Sequence, residues 1–184
     1  GGPLEAVDEV RLEVEVMRWD LGRVVAALKA AHPYEEVAYD VFALEKPATR
    51  AGYGVVGTLP TPIPLADFLA IVRARLNAGA LRYVGDDTAM VSTVAVCGGS
   101  GSRFIPHALR AGADAYVTAD VTYHTFFDVL DLEGTPMMAL IDAGHYETER
   151  VTERILVDYL AARFNGLAVH RTDAWTSPMR TWST

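Results

Sequence analysis

The chain has 184 residues, 51% hydrophobic and 22% charged, with a net charge of −8, the composition of a globular protein that buries about two-thirds of its unfolded surface. The acidic balance and the lack of any Lys/Arg cluster argue against a nucleic-acid partner, and no apolar run approaches the ~20 residues of a membrane span. Cys97 is the only cysteine, which excludes an intrachain disulfide and points to a reducing, cytoplasmic setting.

The chain begins Gly1-Gly2-Pro3, and its first methionine is Met17, inside a strand-like run. It therefore reads as a piece of a longer protein. Val10, Leu12, Val14 and Val16 alternate with charged residues, the period of a half-buried strand. Asp20 offers an N-cap, and Leu21, Val24, Val25, Leu28 and Ala31 share one helical stripe. His32-Pro33 stops that helix, and Val37 to Leu44 reads as a second strand. Residues 1–45 thus hold a βαβ unit of ferredoxin-like kind. The acidic His32-Pro-Tyr-Glu-Glu36 reads as its solvated loop.

Lys46 to Gly52 reads as a linker to a second part, 46–184. There Gly54 to Leu59 is a short strand, with a turn expected at Pro60, Pro62 and Pro64. Leu65, Phe68, Leu69, Val72 and Leu76 form the clearest helical stripe. Strands are expected at 81–84, 91–96, 115–118, 137–141 and 167–170. Helices are expected at 102–111, 121–132 and 148–164, the first ending at Gly112. This alternation predicts an α/β core with a mixed or parallel sheet covered by helices.

Four stretches carry candidate chemistry. Gly52-Tyr-Gly54-Val-Val-Gly57 matches a dinucleotide fingerprint by letter only, because a strand and a proline-rich segment follow it rather than a helix. Cys97-Gly-Gly-Ser-Gly-Ser102 leaves an apolar strand and opens a helix, so it is either a tight turn capped by Ser102 or a ligand-facing loop. Asp120 and His124 follow a strand end, the usual ligand rim of an open α/β sheet, although the spacing also fits an N-cap and a surface histidine. His145 and Glu149, four apart, can aim an imidazole and a carboxylate at one divalent ion such as zinc, iron or manganese. The same spacing also fits a helix-surface ion pair. His107 and His170 lack comparable partners and read as structural or surface residues.

Taken together, residues 94–101, 111–124 and 142–149 (the last Asp-Ala-Gly-His-Tyr-Glu-Thr-Glu) resemble the Nif-three-like family, also known as GTP cyclohydrolase I type 2 homologues. Val10–Leu44 resembles the second half of the PII/CutA-like insert that many bacterial members carry. The resemblance implies a metal-dependent hydrolase built around two divalent ions, with His145 and Glu149 as metal ligands and Thr118, Asp120 and His124 lining the same cavity, either supporting the ligands or, for Asp120 and His124, orienting water or substrate. It also implies a homohexamer assembled from trimers. The remaining ligands of the family, a His-His pair and an aspartate, belong to a portion that precedes the insert, so the metal site in this chain is expected to be incomplete. Ala119 stands where the family usually has glycine, Thr122 where lysine is common, and Val55 where arginine often follows the glycines. The alternative is a non-catalytic oligomeric binding or regulatory protein using the PII-like module.

Overall fold

The computed structural model describes residues 8–45, 51–174 and 176–180. The described residues fall into two compact units, 8–45 and 51–180, and each is treated by itself.

In the first unit the expected helix forms as α1 (Leu21–Ala31), and it stops at His32, whose backbone is extended ahead of Pro33. The His32–Glu36 segment is a series of bends, with the Tyr34 amide donating to His32 Nδ1 at 3.1 Å. The two flanking strands of the expected βαβ unit are not observed: 8–17 and 37–45 join no sheet. Alternation supplies the side-chain pattern of a strand, but the strand itself exists only through ladder partners. Here Val10, Leu12, Val14, Val41, Phe42 and Leu44 are all exposed.

The second unit is built on five strands, β1 (Val55–Pro64), β2 (Arg82–Val84), β3 (Met90–Ser100), β4 (Ala115–Ala119) and β5 (Ala139–Asp142). Their order across the sheet is β1-β3-β4-β5-β2. β3, β4 and β5 run parallel, and both edge strands pair antiparallel. The sheet is therefore mixed, as the pattern predicts. β4 is buried at every position, because it lies in the middle with both faces covered.

Alternate residues feed two cores. Ala115, Val117, Ala139 and Ile141 pack with Leu65, Phe68 and Val72 of α2 (Leu65–Leu76), while Tyr116 and Leu140 pack on the opposite face with Ile105 and Ala108 of α3 (Ile105–Arg110). The α2 stripe is the one read from the sequence. The helix ends at Asn77, which adopts φ 52, a left-handed cap that asparagine tolerates. A last helix, α4 (His145–Arg163), follows β5.

Four expectations need correction. Pro60, Pro62 and Pro64 lie inside β1 rather than in a turn; an edge strand tolerates residues without an N–H, and the ladder skips from Thr58 to Ile63. The 121–132 helix shrinks to a 3₁₀ run, His124–Val129, where Thr122, Thr125 and Asp128 are poor helix formers. Asp131 then accepts the Glu133 and Thr135 amides and so builds a turn. Residues 167–170 join no strand. Finally, α4 begins at His145, three residues before the expected Thr148, which places both His145 and Glu149 on helix.

Candidate metal centre

β4 and β5 end side by side, Thr118 in register with Asp142, and the candidate residues sit just past those ends. Asp120 leaves β4 in the left-handed region, φ 55, a conformation that aspartate visits more readily than most residues. That turn brings its Oδ2 to 2.6 Å from His145 Nδ1. On the other side of the ring, His145 Nε2 lies 3.2 Å from Glu149 Oε2, one helical turn on. Three side chains from two elements thus form a line, carboxylate to imidazole to carboxylate.

The two contacts differ in kind. Asp120 accepts the Nδ1–H, fixing the ring's orientation and setting Nε2 against the Glu149 carboxylate. Nε2 and Glu149 Oε2 stand 3.2 Å apart, one helical turn between them. Two donors bound to one tetrahedral ion at ~2.0–2.2 Å stand about 3.3 Å apart, close to the separation found. An outer carboxylate holding the far nitrogen of a liganding histidine is the usual support for such a ligand. The donor set therefore fits a divalent ion.

The electrostatics agree with the geometry. The His145 pKa is raised above the ordinary imidazole value, chiefly by the hydrogen bond to Asp120 and further by the charges of Asp120 and Glu149, with burial opposing. The site is open: the side chains of Asp120, His145 and Glu149 are 48%, 43% and 57% exposed. Two clefts, of about 400 and 290 Å³, meet at Tyr83, but neither is lined by any of these three residues.

Asp142, 6% exposed, supports the site from behind. Its Oδ2 accepts the Val121 amide at 3.1 Å and pairs with Arg82, whose guanidinium also donates to the Val121 carbonyl at 3.1 Å. Its Oδ1 accepts the Gly144 amide at 3.1 Å. The loop carrying Asp120 and the turn carrying His145 therefore hang on one carboxylate.

Of the four residues singled out in the sequence, the structure brings together Asp120, His145 and Glu149. His124 is exposed on the same post-β4 loop, with its ring 5.5 Å from Tyr123 in an edge-on contact. Among the described residues no hydrogen bond joins it to the other three. Among the described residues, too, no group of three or more His, Cys, Asp or Glu is arranged to hold an ion.

Cys97 is buried in the core, its thiol 3.2 Å from the Tyr53 carbonyl. The glycine run after it does not leave the strand: Gly98–Ser100 continue β3, with Gly99 at φ 63 and a register shift between Val96 and Ser100. Sequence reasoning missed Gly99 and Thr148, which meet here as the Gly99 amide donates to Thr148 Oγ1 at 2.9 Å. Thr148's place between His145 and Glu149 is the one signal that could have drawn attention to it. Behind them burial pushes the Tyr116 phenol up to about 12, keeping it a neutral donor to the Gly101 carbonyl at 2.9 Å.

A mixed α/β sheet with an acid–histidine–acid line at the C-terminal rim of its parallel strands describes the class of protein. The chain belongs to the Duf34/NIF3 (NGG1p interacting factor 3) family, whose model matches residues 7–178. It is 40% identical over 154 residues to a GTP cyclohydrolase 1 type 2 homolog of Bacillus subtilis, covering 84% of this chain and 40% of that protein. It is 39% identical over 181 residues to the homolog of the same name from Mycobacterium leprae, covering 95% of this chain and 46% of that one. Among solved structures it resembles a Bacillus cereus protein related to NIF3, with 32% identity and a TM-score of 0.68 over 88% of this chain and 44% of the other. It also resembles the Staphylococcus aureus protein SA1388, with 26% identity and a TM-score of 0.66 over 89% of this chain and 46% of the other. The chain thus spans less than half the length of these relatives.

Proposed function

We propose that this chain supplies one wall of a divalent-metal centre in a metal-dependent hydrolase of the NIF3 family. His145 and Glu149 are the ligands and Asp120 orients His145. The observation that carries the reading is the line itself: a histidine fixed at Nδ1 by a carboxylate at 2.6 Å, with Nε2 and a second carboxylate 3.2 Å apart. When bound, zinc, iron or manganese supplies Lewis acidity that polarises a substrate oxygen and makes water more acidic. Asp120 holds the Nδ1 proton and sets Nε2 beside Glu149, and His124, exposed on the same side of the sheet's end, takes the substrate-facing role. The names of the relatives, GTP cyclohydrolase 1 type 2 homologs, make GTP the first substrate to test. The complete centre, with two ions in a homohexameric protein of the cytoplasm, belongs to the longer chain.

Zinc and manganese content and GTP hydrolysis, measured on the longer protein and on its His145→Ala and Glu149→Gln variants, test the reading. Metal and turnover are expected to fall together. Full metal content in both variants would remove His145 and Glu149 from the ligand set.

A second reading has its own support. Val151, Ile155 and Tyr159 are exposed at four-residue spacing along α4, an apolar stripe suited to covering by another surface. It favours an oligomeric binding protein in which the metal is structural. A stable oligomer that retains metal and lacks turnover would select it. No helix among the described residues is long and apolar enough to cross a membrane.

A further inference from the structure

Gly99 joins the two elements that deliver the metal wall, although neither its backbone nor any side chain of its own serves as a ligand. Its carbonyl accepts a hydrogen bond from Thr118 Oγ1 at 3.0 Å, and its amide donates to Thr148 Oγ1 at 2.9 Å. Both threonines are buried. Thr118 precedes Asp120 by two residues, and Thr148 lies on α4 between His145 and Glu149. One peptide is thus clamped between the strand that presents Asp120 and the helix that presents the pair.

The backbone at Gly99 is left-handed, φ 63, and what a side chain would meet there is specific. A methyl group would fall against Glu149 Oε1, 3.2 Å from both Glu149 Cδ and His145 Nε2. The Glu149 carboxylate is the free end of a flexible side chain on an open rim. The protein would accommodate the methyl by turning that carboxylate away, with the backbone left in place.

We propose that Gly99 is a positioning residue of the pair: its clamped, side-chain-free peptide is the floor on which the Glu149 carboxylate rests beside His145 Nε2. The consequence for metal rests on the reading of His145 and Glu149 as ligands. The placement of the carboxylate is a property of the metal-free chain and can be tested without it.

Gly99→Ala carries two perturbations, a strained backbone and a methyl group, and the chain contains its own control for the first. Gly112 has φ 67, and nothing lies within 4 Å of where its Cβ would stand, so Gly112→Ala carries strain alone. Metal-free proton–carbon NMR of the His145 imidazole and thermal melting of this chain, and zinc titration calorimetry of the longer protein, are compared across wild type and both variants. Both variants are expected to melt lower, by similar amounts. Gly99→Ala alone is expected to shift the His145 resonances and weaken zinc by about tenfold, the low end of the loss seen when a ligand's support is removed. Thr148→Ser, which keeps the hydroxyl, retains the wild-type spectrum, whereas Thr148→Val reproduces the Gly99→Ala pattern. This second pair decides the matter if Gly99→Ala does not fold. His145 resonances in Gly99→Ala that coincide with those of Gly112→Ala, or no difference between Thr148→Ser and Thr148→Val, would overturn the proposal. Failure of the longer wild-type protein to bind zinc would sink the metal reading, while the NMR comparison would still decide the role of Gly99.

Discussion

Asp120→Asn isolates the charge that Asp120 places on His145. Asparagine keeps the volume, tolerates the left-handed backbone at φ 55, and can still accept from Nδ1–H, so what is lost is the negative charge. The hydrogen bond to Asp120 is the leading cause of the raised His145 pKa, so that pKa is expected to move back down in the variant. The sign for stability follows. A proton held more tightly in the folded than the unfolded state adds stability below the unfolded imidazole value of about 6.5, and this contribution is lost as pH rises through the folded value. Wild type and variant should therefore differ in Tm below about pH 6.5 and converge above the folded pKa. The His145 and Asp120 side chains are 43% and 48% exposed, so solvent screening keeps that difference within the ~1 kcal/mol of an exposed pair. The effect on metal is larger. Loss of an outer partner weakens a metal site by about 10–100-fold, or ~1.4–2.7 kcal/mol. Histidine NMR titration reads the first effect and zinc calorimetry the second. An unchanged His145 pKa together with an unchanged zinc Kd would refute the assignment of Asp120 as the orienting group.

Three further outcomes are expected. His124→Ala should leave the zinc Kd unchanged within about twofold, as for a surface change remote from the ligands, while lowering turnover of the longer protein; a large loss of zinc would make His124 a ligand. Asp142→Ala should destabilise the second unit by about 1–3 kcal/mol for each backbone donor left unpaired at Val121 and Gly144, read by urea unfolding, and a stability within error of wild type would contradict the bridging role. Asn77→Ala should cost about 1 kcal/mol because alanine resists φ 52, whereas Asn77→Gly should match or exceed wild type in Tm.

What the sequence revealed was what short-range pattern controls. The α2 stripe, the apolar runs of β4 and β5 and the four-residue spacing of His145 and Glu149 all depend on neighbours within one or two turns; α2 and β4 form where they were read, while β5 and α4 are shifted by two to three residues. Features that need distant partners were misread or missed. Val10–Val16 alternates correctly yet joins no ladder, since a ladder is a property of two segments. Pro60–Pro64 looks like a turn until the edge position of β1 is known. Asp120 reads on spacing more readily as an N-cap than as a site residue, and its contact with His145 Nδ1, 25 positions on, is invisible to local pattern. Gly99 carries no chemical signal of its own; its meaning lies in the side chains it makes room for.

Asp142 also bears on how this part of the molecule opens. A single buried carboxylate receives the edge strand through Arg82, the post-β4 loop through Val121 and the approach to α4 through Gly144. Segments that share an anchor detach together, forming one cooperative unit in native-state hydrogen exchange. The Val121 and Gly144 amides should accordingly share one protection factor, and the rim that carries the candidate ligands should fluctuate as a block rather than residue by residue.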